Sequence, residues 1–596
     1  MDYQKTIPDS SQPENHFEIH GFYLKDGKYF TNELRGKNKV KVELSNFVGE
    51  SLFHLVNGTN NTKRIIKIQR NTGQISIIEV QSSELKLDSF ETILKSKQCT
   101  FYGNTYHLKR IFSQWMDNEI QSNVIETMGW NPEYQVYAFS NAVFTDKNVL
   151  LHSNDVGIID NPEDEKKKYY LPAFGLAQIN NQNYEGERKF IYIEGEKGFE
   201  EYAKLYFTAF ETNGGIAILF LILSVFWDIV FEQIGFFPFL FLFGAYGTGK
   251  TSLVEFLLRV FGKDFKGIPL NNATQVALSR TIASRNNSIF YLKEYTKDTD
   301  EFNHDLFLTA YDGTGRATGI KSNDNQTRVA MVKSAIILDG NELPTQKAAV
   351  LSRMILLNFE KNKFNPDQHF AFNELEKIKD NGFGKVLTDI LKHRQYFQKN
   401  FKKTFDENMK ELRECVSGDY AERTRKHIAL LLVPAKLLIQ KLQFPFSFNE
   451  ITNAVVDNAI EQNRLLKQTD EITIFWNAFA WGLRNNILTR FYKDVDNSKK
   501  QSHYHLKFNP AGEAILQIKM QSIIPEYVKY CRNIGQRFLD SNSMQKLLTS
   551  ESYKPFIPNS QKGRGDAYTD AYFGSCYQFM LNTENGYSIN GVELNM

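Results

Sequence analysis

Residues 239–261 read Phe-Leu-Phe-Leu-Phe-Gly-Ala-Tyr-Gly-Thr-Gly-Lys-Thr-Ser-Leu-Val-Glu-Phe-Leu-Leu-Arg-Val-Phe, an apolar run followed by a glycine-rich turn and a second apolar pattern. The first part, residues 239–243, has the length and aromatic content of a buried parallel strand. After the turn, apolar side chains recur at the spacing of one helix face, at Leu253, Phe256, Leu257 and Val260. The stretch therefore predicts a strand, a loop and a helix in immediate succession.

The glycine-rich turn fits a phosphate-binding loop, with Gly244 followed by four residues and then Gly249, Lys250 and Thr251. Glycines let backbone N–H groups curl around phosphate oxygens, and the helix adds the positive end of its dipole. Lys250 is expected to reach the β- and γ-phosphates, and the Thr251 hydroxyl to bind magnesium. The flanking patterns argue against a chance match, so we predict ATP and Mg²⁺ as cofactors and these nucleotide-binding residues: Gly244, Gly247, Thr248, Gly249, Lys250 and Thr251.

Length and composition set wider limits. A chain of 596 residues with 42% hydrophobic residues is expected to form roughly two to four domains. The formal net charge of +2 neither indicates nor excludes a nucleic-acid partner, because local basic patches can coexist with a neutral total. The four cysteines show no metal-ligand spacing and are typical of a reduced cytosol: Cys99, Cys415, Cys531 and Cys576.

One apolar run, residues 216–227, is interrupted only by Ser224 and ends before Asp228. It is shorter than the roughly 20 residues that a membrane-spanning helix requires. A membrane span is the alternative, but length favours a buried core helix ahead of the strand at 239. We therefore expect no membrane partner and a cytoplasmic location.

Changes of pattern along the chain predict a multidomain α/β protein. Short alternating segments with turn residues characterise the first part, whereas apolar strands separated by helical segments between 239 and 359 require a parallel sheet with crossover helices. Charged helical patterns follow. The predicted segments are a disordered lead (1–20), a β-rich N-terminal domain (21–190), a P-loop ATPase domain with preceding helices (191–360), a mainly helical domain (361–470) and a C-terminal α+β module (471–596).

Three polar residues beside the predicted strands are candidates for catalysis. Glu294 follows the apolar segment 289–292 and is the candidate base that activates water and, with Thr251, holds the metal. Asn341 follows the next strand and is expected to sense the γ-phosphate. Arg353, or alternatively Arg316, is the candidate arginine finger, acting across a subunit interface. Their alternatives are an ordinary strand-end carboxylate, a turn residue and a surface ion-pair partner.

Two basic features complete the candidate site. Lys293 stands where such sites commonly have a magnesium-orienting Asp, and a cation there opposes metal binding unless it points away. The segment 311–316 contains Gly313 and Gly315 and ends at Arg316, with Lys321 close behind. Both cations are candidates for holding a nucleic-acid backbone in a central channel, and a solvated loop is the alternative.

Residues 20–360 resemble a family of phage- and plasmid-type helicase-like ATPases whose N-terminal region is a domain of unknown function. The resemblance rests on Gly129-Trp130 with its hairpin, the apolar helix at 216–227, the loop 244–251, the segment 291–295 and Asn341-Glu342-Leu343-Pro344. The last of these is similar to the third motif of superfamily 3 helicases. The resemblance implies a homo-oligomer, typically a hexameric ring, that moves along nucleic acid, whereas Lys293 departs from the family's acidic residue.

These observations predict an ATP-dependent oligomeric DNA helicase or translocase of a mobile element, acting on single-stranded or forked DNA. One alternative is a nucleotide-controlled sensor or assembly scaffold, for example in anti-phage defence, with weak hydrolysis that Lys293 would explain. The other is a loader that uses ATP to place a helicase on DNA.

Overall fold

The computed structural model describes residues 16–56, 62–117, 119–162, 168–175, 184–270, 278, 281–296, 307–313, 316–319, 327–330, 332–341, 348–360, 364–415, 422–469, 471–492, 502–536, 538–550, 553, 555–560, 566–583, 586–590 and 592–596. Helices and strands alternate through much of this range, and one sheet is parallel. The predicted multidomain α/β class is therefore correct in outline, while the domain boundaries stay predictions. Residues 1–15 of the predicted disordered lead lie outside the described residues, and 16–20 form a short helix.

Strands dominate the first part of the chain, in the region where the sequence predicts a β-rich domain. They form a three-stranded sheet (β1-β2-β3), a six-stranded sheet (β12-β13-β7-β4-β5-β6) and a four-stranded sheet (β11-β10-β9-β8). The elements are α1 (His16–His20), β1 (Tyr23–Lys25), β2 (Lys28–Arg35), β3 (Asn38–Glu43), β4 (Phe47–Val56), β5 (Lys63–Arg70), β6 (Ile75–Gln81), α2 (Leu87–Ser96), α3 (Thr105–Met116), β7 (Ile120–Val124), β8 (Gly129–Asn131), β9 (Val136–Ala138), β10 (Ala142–Thr145), β11 (Leu150–His152), β12 (Ile158–Ile159) and β13 (Tyr169–Tyr170).

The hairpin expected at Gly129-Trp130 is present as β8 and β9, which pair antiparallel with Asn131 opposite Val136. Its aromatic side chains do not join the core of the strands before it. Trp130 and Tyr137 instead belong to the large core that surrounds the central sheet, and the Tyr137 hydroxyl donates to the carbonyl of Asn287 at 2.8 Å. The hairpin therefore fastens the N-terminal strands to the centre of the molecule.

The central sheet is parallel, with strand order β15-β16-β19-β14-β20. Because crossover helices cover both faces of such a sheet, its strands read as continuous apolar runs, as the sequence indicated. The elements are α4 (Glu185–Lys189), α5 (Phe199–Val225), α6 (Trp227–Ile234), β14 (Phe239–Gly244), α7 (Lys250–Arg259), β15 (Ile268–Pro269), β16 (Ile289–Tyr295), β17 (Arg316–Gly319), β18 (Thr327–Ala330), β19 (Ala335–Gly340), α8 (Ala348–Leu351) and β20 (Met354–Phe359). Strands β17 and β18 form a separate antiparallel hairpin.

Helix α5 contains residues 216–225 of the apolar run for which the sequence left a membrane span open, and the last residue of the run, Trp227, begins α6. Among the described residues α5 is the one helix long and apolar enough to cross a membrane, and 72% of its most apolar window is buried inside the protein. Residues 216–223 are completely buried against the other helices and the sheet. The run is thus the core helix that the sequence predicted.

Further helices extend this core beyond residue 360. They are α9 (Pro366–Ile378), α10 (Gly384–Leu391), α11 (Arg394–Cys415), α12 (Glu422–Leu442) and α13 (Phe448–Thr469). One hydrophobic cluster runs from Met128 to Ala459, so these helices share their core with the central sheet. The last part has its own core and comprises α14 (Glu471–Arg484), β21 (Tyr504–Phe508), β22 (Ala514–Ile518), α15 (Met520–Asn533), α16 (Ser541–Leu548), β23 (Phe556–Ile557), β24 (Tyr568–Asp570), β25 (Gly574–Met580), β26 (Ser588–Ile589) and β27 (Val592–Glu593).

Candidate active site

The predicted loop lies between the end of β14 and the start of α7. Gly244, Gly247 and Gly249 have φ values of +155°, +78° and +90°, and the last two fall in the left-handed region that favours glycine. Gly244 is also sterically required, because a Cβ atom there would lie 2.2 Å from the carbonyl oxygen of Phe359. The backbone thus curls at the predicted positions, and Thr248 closes the turn by donating to the carbonyl of Ala245 at 2.9 Å.

Lys250 folds back into this turn. Its ammonium group donates to the carbonyl oxygens of Gly244 at 2.6 Å and Ala245 at 2.7 Å, and lies 3.4 Å from Oδ1 of Asn341. Desolvation by burial lowers the pKa of Lys250, and the nearby Asp339 carboxylate opposes that shift. The cation is therefore held at the mouth of the loop by oxygen atoms that phosphate oxygens could replace.

Glu294 and Asn341 come together at the same edge of the sheet. Strand β19 lies between β16 and β14, so the carboxyl ends of all three strands meet beside the loop. Glu294 sits in an irregularity of the β16–β19 pairing with φ +62°, and its side chain is exposed. A bulge next to a site typically re-aims a side chain, which here presents the Glu294 carboxylate to the cleft.

Asp339 is the residue that sequence reasoning missed. It lies on β19 opposite Leu242 of the loop strand, and its Oδ1 accepts the backbone N–H of Glu294 at 2.9 Å. The residue is only 8% exposed and also lies beside Tyr291, whose pKa is raised by burial first and by this carboxylate second. The signal was present in the sequence as a single acidic residue at the end of the apolar run 335–338.

Lys293 stands where the sequence analysis looked for an acidic residue. Its ammonium lies 5.2 Å from the centre of the Tyr291 ring, and its aliphatic stem packs where a Cβ atom on Gly267 would otherwise fit. Lys293 nevertheless contributes to the lining of the cleft. On the neighbouring strand β19, Asp339 places a buried carboxylate beside the loop strand.

Arg353 does not lie beside the loop with Lys250 and Asn341. It precedes β20 at the amino end of the sheet, where its carbonyl accepts the N–H of Phe239 at 3.1 Å, roughly 17 Å along the strands from the loop. Its guanidinium donates to the carbonyl of Ala349 at 2.8 Å and lies 3.8 Å from the Asp312 carboxylate. Arg353 therefore cannot act on a nucleotide bound to its own loop.

One of the two candidate nucleic-acid contacts, Arg316, lies on the β17–β18 hairpin. Arg316 is the first residue of β17 and pairs with Ala330. Lys321 lies outside the described residues. The hairpin is inserted in the chain between β16 and β19, the two strands that carry Glu294 and Asp339.

The loop opens into a cleft of about 1450 Å³, which is larger than phosphates alone require. Its far wall comes from α5 and α9, and Tyr246 stands at the rim with 90% of its surface exposed. Helix α5 breaks its regular geometry here, at Glu211 with φ +48° and ψ −132°. No local sequence pattern predicts a site role for these lining residues: Phe210, Glu211, Asn213, Asn365, Gln368, His369 and Phe372.

Among the described residues, no group of three or more His, Cys, Asp or Glu side chains could hold a metal ion by itself. Thr251 and Asp339 do supply a hydroxyl and a carboxylate beside the loop. Magnesium is commonly bound by one or two protein oxygens together with phosphates and waters, so this donor set fits a metal that arrives with a nucleotide.

Comparison with known proteins gives similarity in structure. No protein-family model matches the chain, and no curated protein matches it either. The structure of "SCCmec type IV Cch - active helicase" is similar with a TM-score of 0.59 at 15% sequence identity, over 96% of this chain and 98% of that chain. The chain therefore has a helicase-like fold over nearly its whole length.

Two other solved structures are similar over smaller shares of the chain. One is "The A form apo structure of NrS-1 C terminal region-CTR", with a TM-score of 0.25 and 13% identity over 68% of this chain and 91% of that chain. The other is the JCV helicase bound to a small molecule, with a TM-score of 0.19 and 12% identity over 50% of this chain and 70% of that chain. At these TM-scores neither similarity shows a common fold.

Proposed function

We propose that this protein is an oligomeric ATPase that works as a DNA helicase or translocase. The observation that carries the proposal is the convergence of Lys250, Asp339 and Asn341 at the carboxyl edge of a parallel sheet, beside a glycine-rich loop at a helix N-terminus. That arrangement supplies the cation, the carboxylate and the polar sensor that phosphoryl transfer requires.

Each side chain has a task that follows from its position. Lys250 exchanges its carbonyl partners for phosphate oxygens, and Asn341, 3.4 Å away, detects whether the last phosphate is present. Glu294, exposed at the strand end, orients the attacking water. Thr251 and Asp339 hold Mg²⁺, which neutralises charge on the phosphates when bound.

Arg353 acts in this proposal on the neighbouring subunit. It lies at the amino ends of the strands, whereas the loop lies at their carboxyl ends, so only a second copy of the chain could bring a phosphate to it. Head-to-tail interfaces can close into rings, and in the ring that we propose one subunit's loop lies against the amino ends of the next subunit's strands. This supports the homo-oligomer, with a hexameric ring as the specific form proposed.

The DNA assignment rests on two features. The β17–β18 hairpin begins at Arg316 and lies in the chain between the strands that carry Glu294 and Asp339, so the polypeptide connects a DNA contact there to the nucleotide site. In addition, the full-length structural neighbour is described as an active helicase. A superfamily 3 type of motor, from a mobile element and acting on single-stranded or forked DNA, is the form we propose.

A second candidate function is favoured by Lys293. This cation lines the cleft on the strand that also presents Glu294, and positive charge there weakens the binding of a metal ion. A protein of this kind would bind ATP, assemble, and hydrolyse little. It would serve as a nucleotide-controlled sensor or scaffold.

ATP hydrolysis with and without single-stranded DNA separates the two functions. A motor shows turnover that DNA stimulates several-fold and that Lys250→Ala abolishes, while Lys263→Ala, an exposed lysine beyond α7, leaves turnover unchanged. Tight ATP binding with negligible turnover, restored by Lys293→Asp, would instead identify the scaffold. Absence of ATP binding by the unaltered protein would refute both.

A further inference from the structure

Strands β2 and β3 extend beyond the body of the N-terminal region as an exposed ribbon, which we define as residues 32–41. Every residue from Asn32 to Lys39 is exposed, although all but the two turn residues are paired in a regular antiparallel ladder. Arg35 pairs with Asn38, so Gly36 and Lys37 form a two-residue turn, with φ +67° at Gly36. A ladder this exposed buries little apolar surface, so packing alone does not explain why the two strands stay paired.

The ribbon is strongly basic. It carries four cations, Arg35, Lys37, Lys39 and Lys41, against the single carboxylate of Glu33. Arg35, Lys37 and Lys39 make no hydrogen bond or ion pair with any residue the structure describes. Because side chains alternate along a strand, Glu33 lies on the opposite face from Lys39 and Lys41 and on the same face as Arg35, with which it forms no ion pair. The cations are therefore free to meet an anionic partner.

The base of the ribbon is held rigidly. Tyr29 is buried, donates to the carbonyl of Gly49 at 2.9 Å and accepts the indole N–H of Trp115 at 3.0 Å. On the other face the Phe30 ring stacks on Tyr23 with 5.8 Å between ring centres, and the Lys41 ammonium sits 3.9 Å from the centre of the Phe30 ring. Because these contacts fix the base of the ribbon, the ribbon loses little conformational entropy when it binds a partner.

We propose that the ribbon inserts into the major groove of duplex DNA. Four residues per strand give it a reach of roughly 13 Å, and the major groove is about 8.5 Å deep and about 12 Å wide, which admits a two-stranded ribbon. The minor groove, about 6 Å wide, is too narrow for two strands about 4.8 Å apart with their side chains. Arg35, Lys37 and Lys39 contact phosphates at the groove walls, and Leu34, 73% exposed, meets apolar base edges such as thymine methyl groups.

This inference adds a duplex contact to the proposed motor and is independent of hydrolysis. It is tested with the full chain in the absence of nucleotide, by fluorescence anisotropy of a labelled 24-base-pair duplex over a salt series. The ribbon variant is R35Q/K37Q/K39Q. The matched control is K86Q/K95Q/K97Q, which removes the same charge from lysines at and near α2 in the same region.

Removal of three phosphate contacts is expected to reduce the slope of log K against log salt by about 2.7, which corresponds to about 40-fold between 50 and 200 mM salt. The control variant keeps the parent slope. Both results are expected in a Lys250→Ala background as well, so failure of the proposed ATPase would leave this test intact.

Three outcomes would overturn the proposal. They are an unchanged slope in the ribbon variant, an equal loss in the control variant, and a loss confined to a 24-nucleotide single strand. Because the substituted side chains are exposed, the melting temperature of the ribbon variant should match that of the parent, and circular dichroism verifies this before binding is compared.

Discussion

Asp339 is the side chain that connects the parts of the candidate site. Its carboxylate fixes the backbone of Glu294 by accepting its N–H at 2.9 Å and opposes the loss of charge on Lys250. A single buried carboxylate thus bonds to the backbone of the candidate base and acts electrostatically on the candidate phosphate-binding cation. This residue should matter more for turnover than for the binding of nucleotide.

Asp339→Asn is expected to lower the rate of ATP turnover by about 100-fold or more, because the amide retains the shape but loses the charge that orients metal and base. Nucleotide affinity, measured with a fluorescent ATP analogue, should change by less than about 10-fold. Asp264→Asn, at an exposed carboxylate outside the cleft, is the control. Equal losses of affinity and turnover would argue against this role.

His427 is a buried titratable residue at the opposite end of the sheet. Its Nε2 lies 3.0 Å from the Tyr311 hydroxyl, and burial together with Arg423 lowers its pKa from 6.5 to about 3. Between these values the unfolded chain binds a proton that the folded protein does not. Stability contributed by neutral His427 is therefore complete above about pH 6.5 and is lost as the pH falls below it.

From this we expect the free energy of unfolding to fall by about 2 kcal/mol more between pH 7 and pH 5 in the parent than in His427→Gln. Chemical denaturation at the two pH values measures the difference. His152→Gln, at an exposed histidine, should keep the acid sensitivity of the parent. If His427→Gln keeps it too, His427 is not the group responsible.

Among the elements, the β8–β9 hairpin has the clearest structural task. Trp130 packs against the guanidinium of Arg394, 3.5 Å from the ring centre, and Arg394 in turn pairs with Asp228. Gly129 begins the hairpin at φ +85°, and a Cβ atom there would lie 1.8 Å from the carbonyl oxygen of Asn286. The Gly129-Trp130 pair therefore fixes the N-terminal strands to the central core.

Gly129→Ala is expected to destabilise the protein by about 2–4 kcal/mol, since it combines backbone strain with an overpacked contact to main-chain atoms. Thermal and urea unfolding report the loss. Gly186→Ala is the matched control, because position 186 is helical with open space around it, and there alanine should be neutral or slightly stabilising. An unaltered unfolding midpoint for Gly129→Ala would show that this contact is not rigid.

At the scale of the whole molecule, the distance between Arg353 and the loop determines whether the two can act within one subunit. The two lie at opposite ends of β14 and β20, so within one polypeptide Arg353 cannot reach a nucleotide bound at the loop. The proposed oligomer resolves this, because each interface unites the loop of one subunit with the arginine of the next. Activity should then depend on protein concentration.

Arg353→Ala and Lys250→Ala should each lack ATP turnover when alone and recover part of it when mixed, because some interfaces pair an intact loop with an intact arginine. Turnover of the mixture over a range of ratios measures this. Arg413→Ala, at a partly exposed arginine of α11, should match the parent. No recovery in mixtures that mass photometry shows to be co-assembled would refute a role in trans.

The sequence alone determined the local parts of this protein. The strand, turn and helix at 239–259, the strand at 354–359, the hairpin after Gly129 and the buried helix at 216–225 all follow from periodicity, glycine placement and apolar content, which act over a few residues. The same local reasoning could identify Lys250, Glu294 and Asn341 as candidates.

Only the tertiary structure decided which of these residues meet. Strand order places β19 beside the loop strand, and that order depends on pairings between segments about 100 residues apart, which no local pattern encodes. That order places the carboxylate of Asp339 beside the loop strand, and Arg353 lies at the amino ends of the strands, away from the loop. Local sequence patterns identify residues that could form the site. Long-range packing determines which of them lie close together, because the whole core sets the distances between strands.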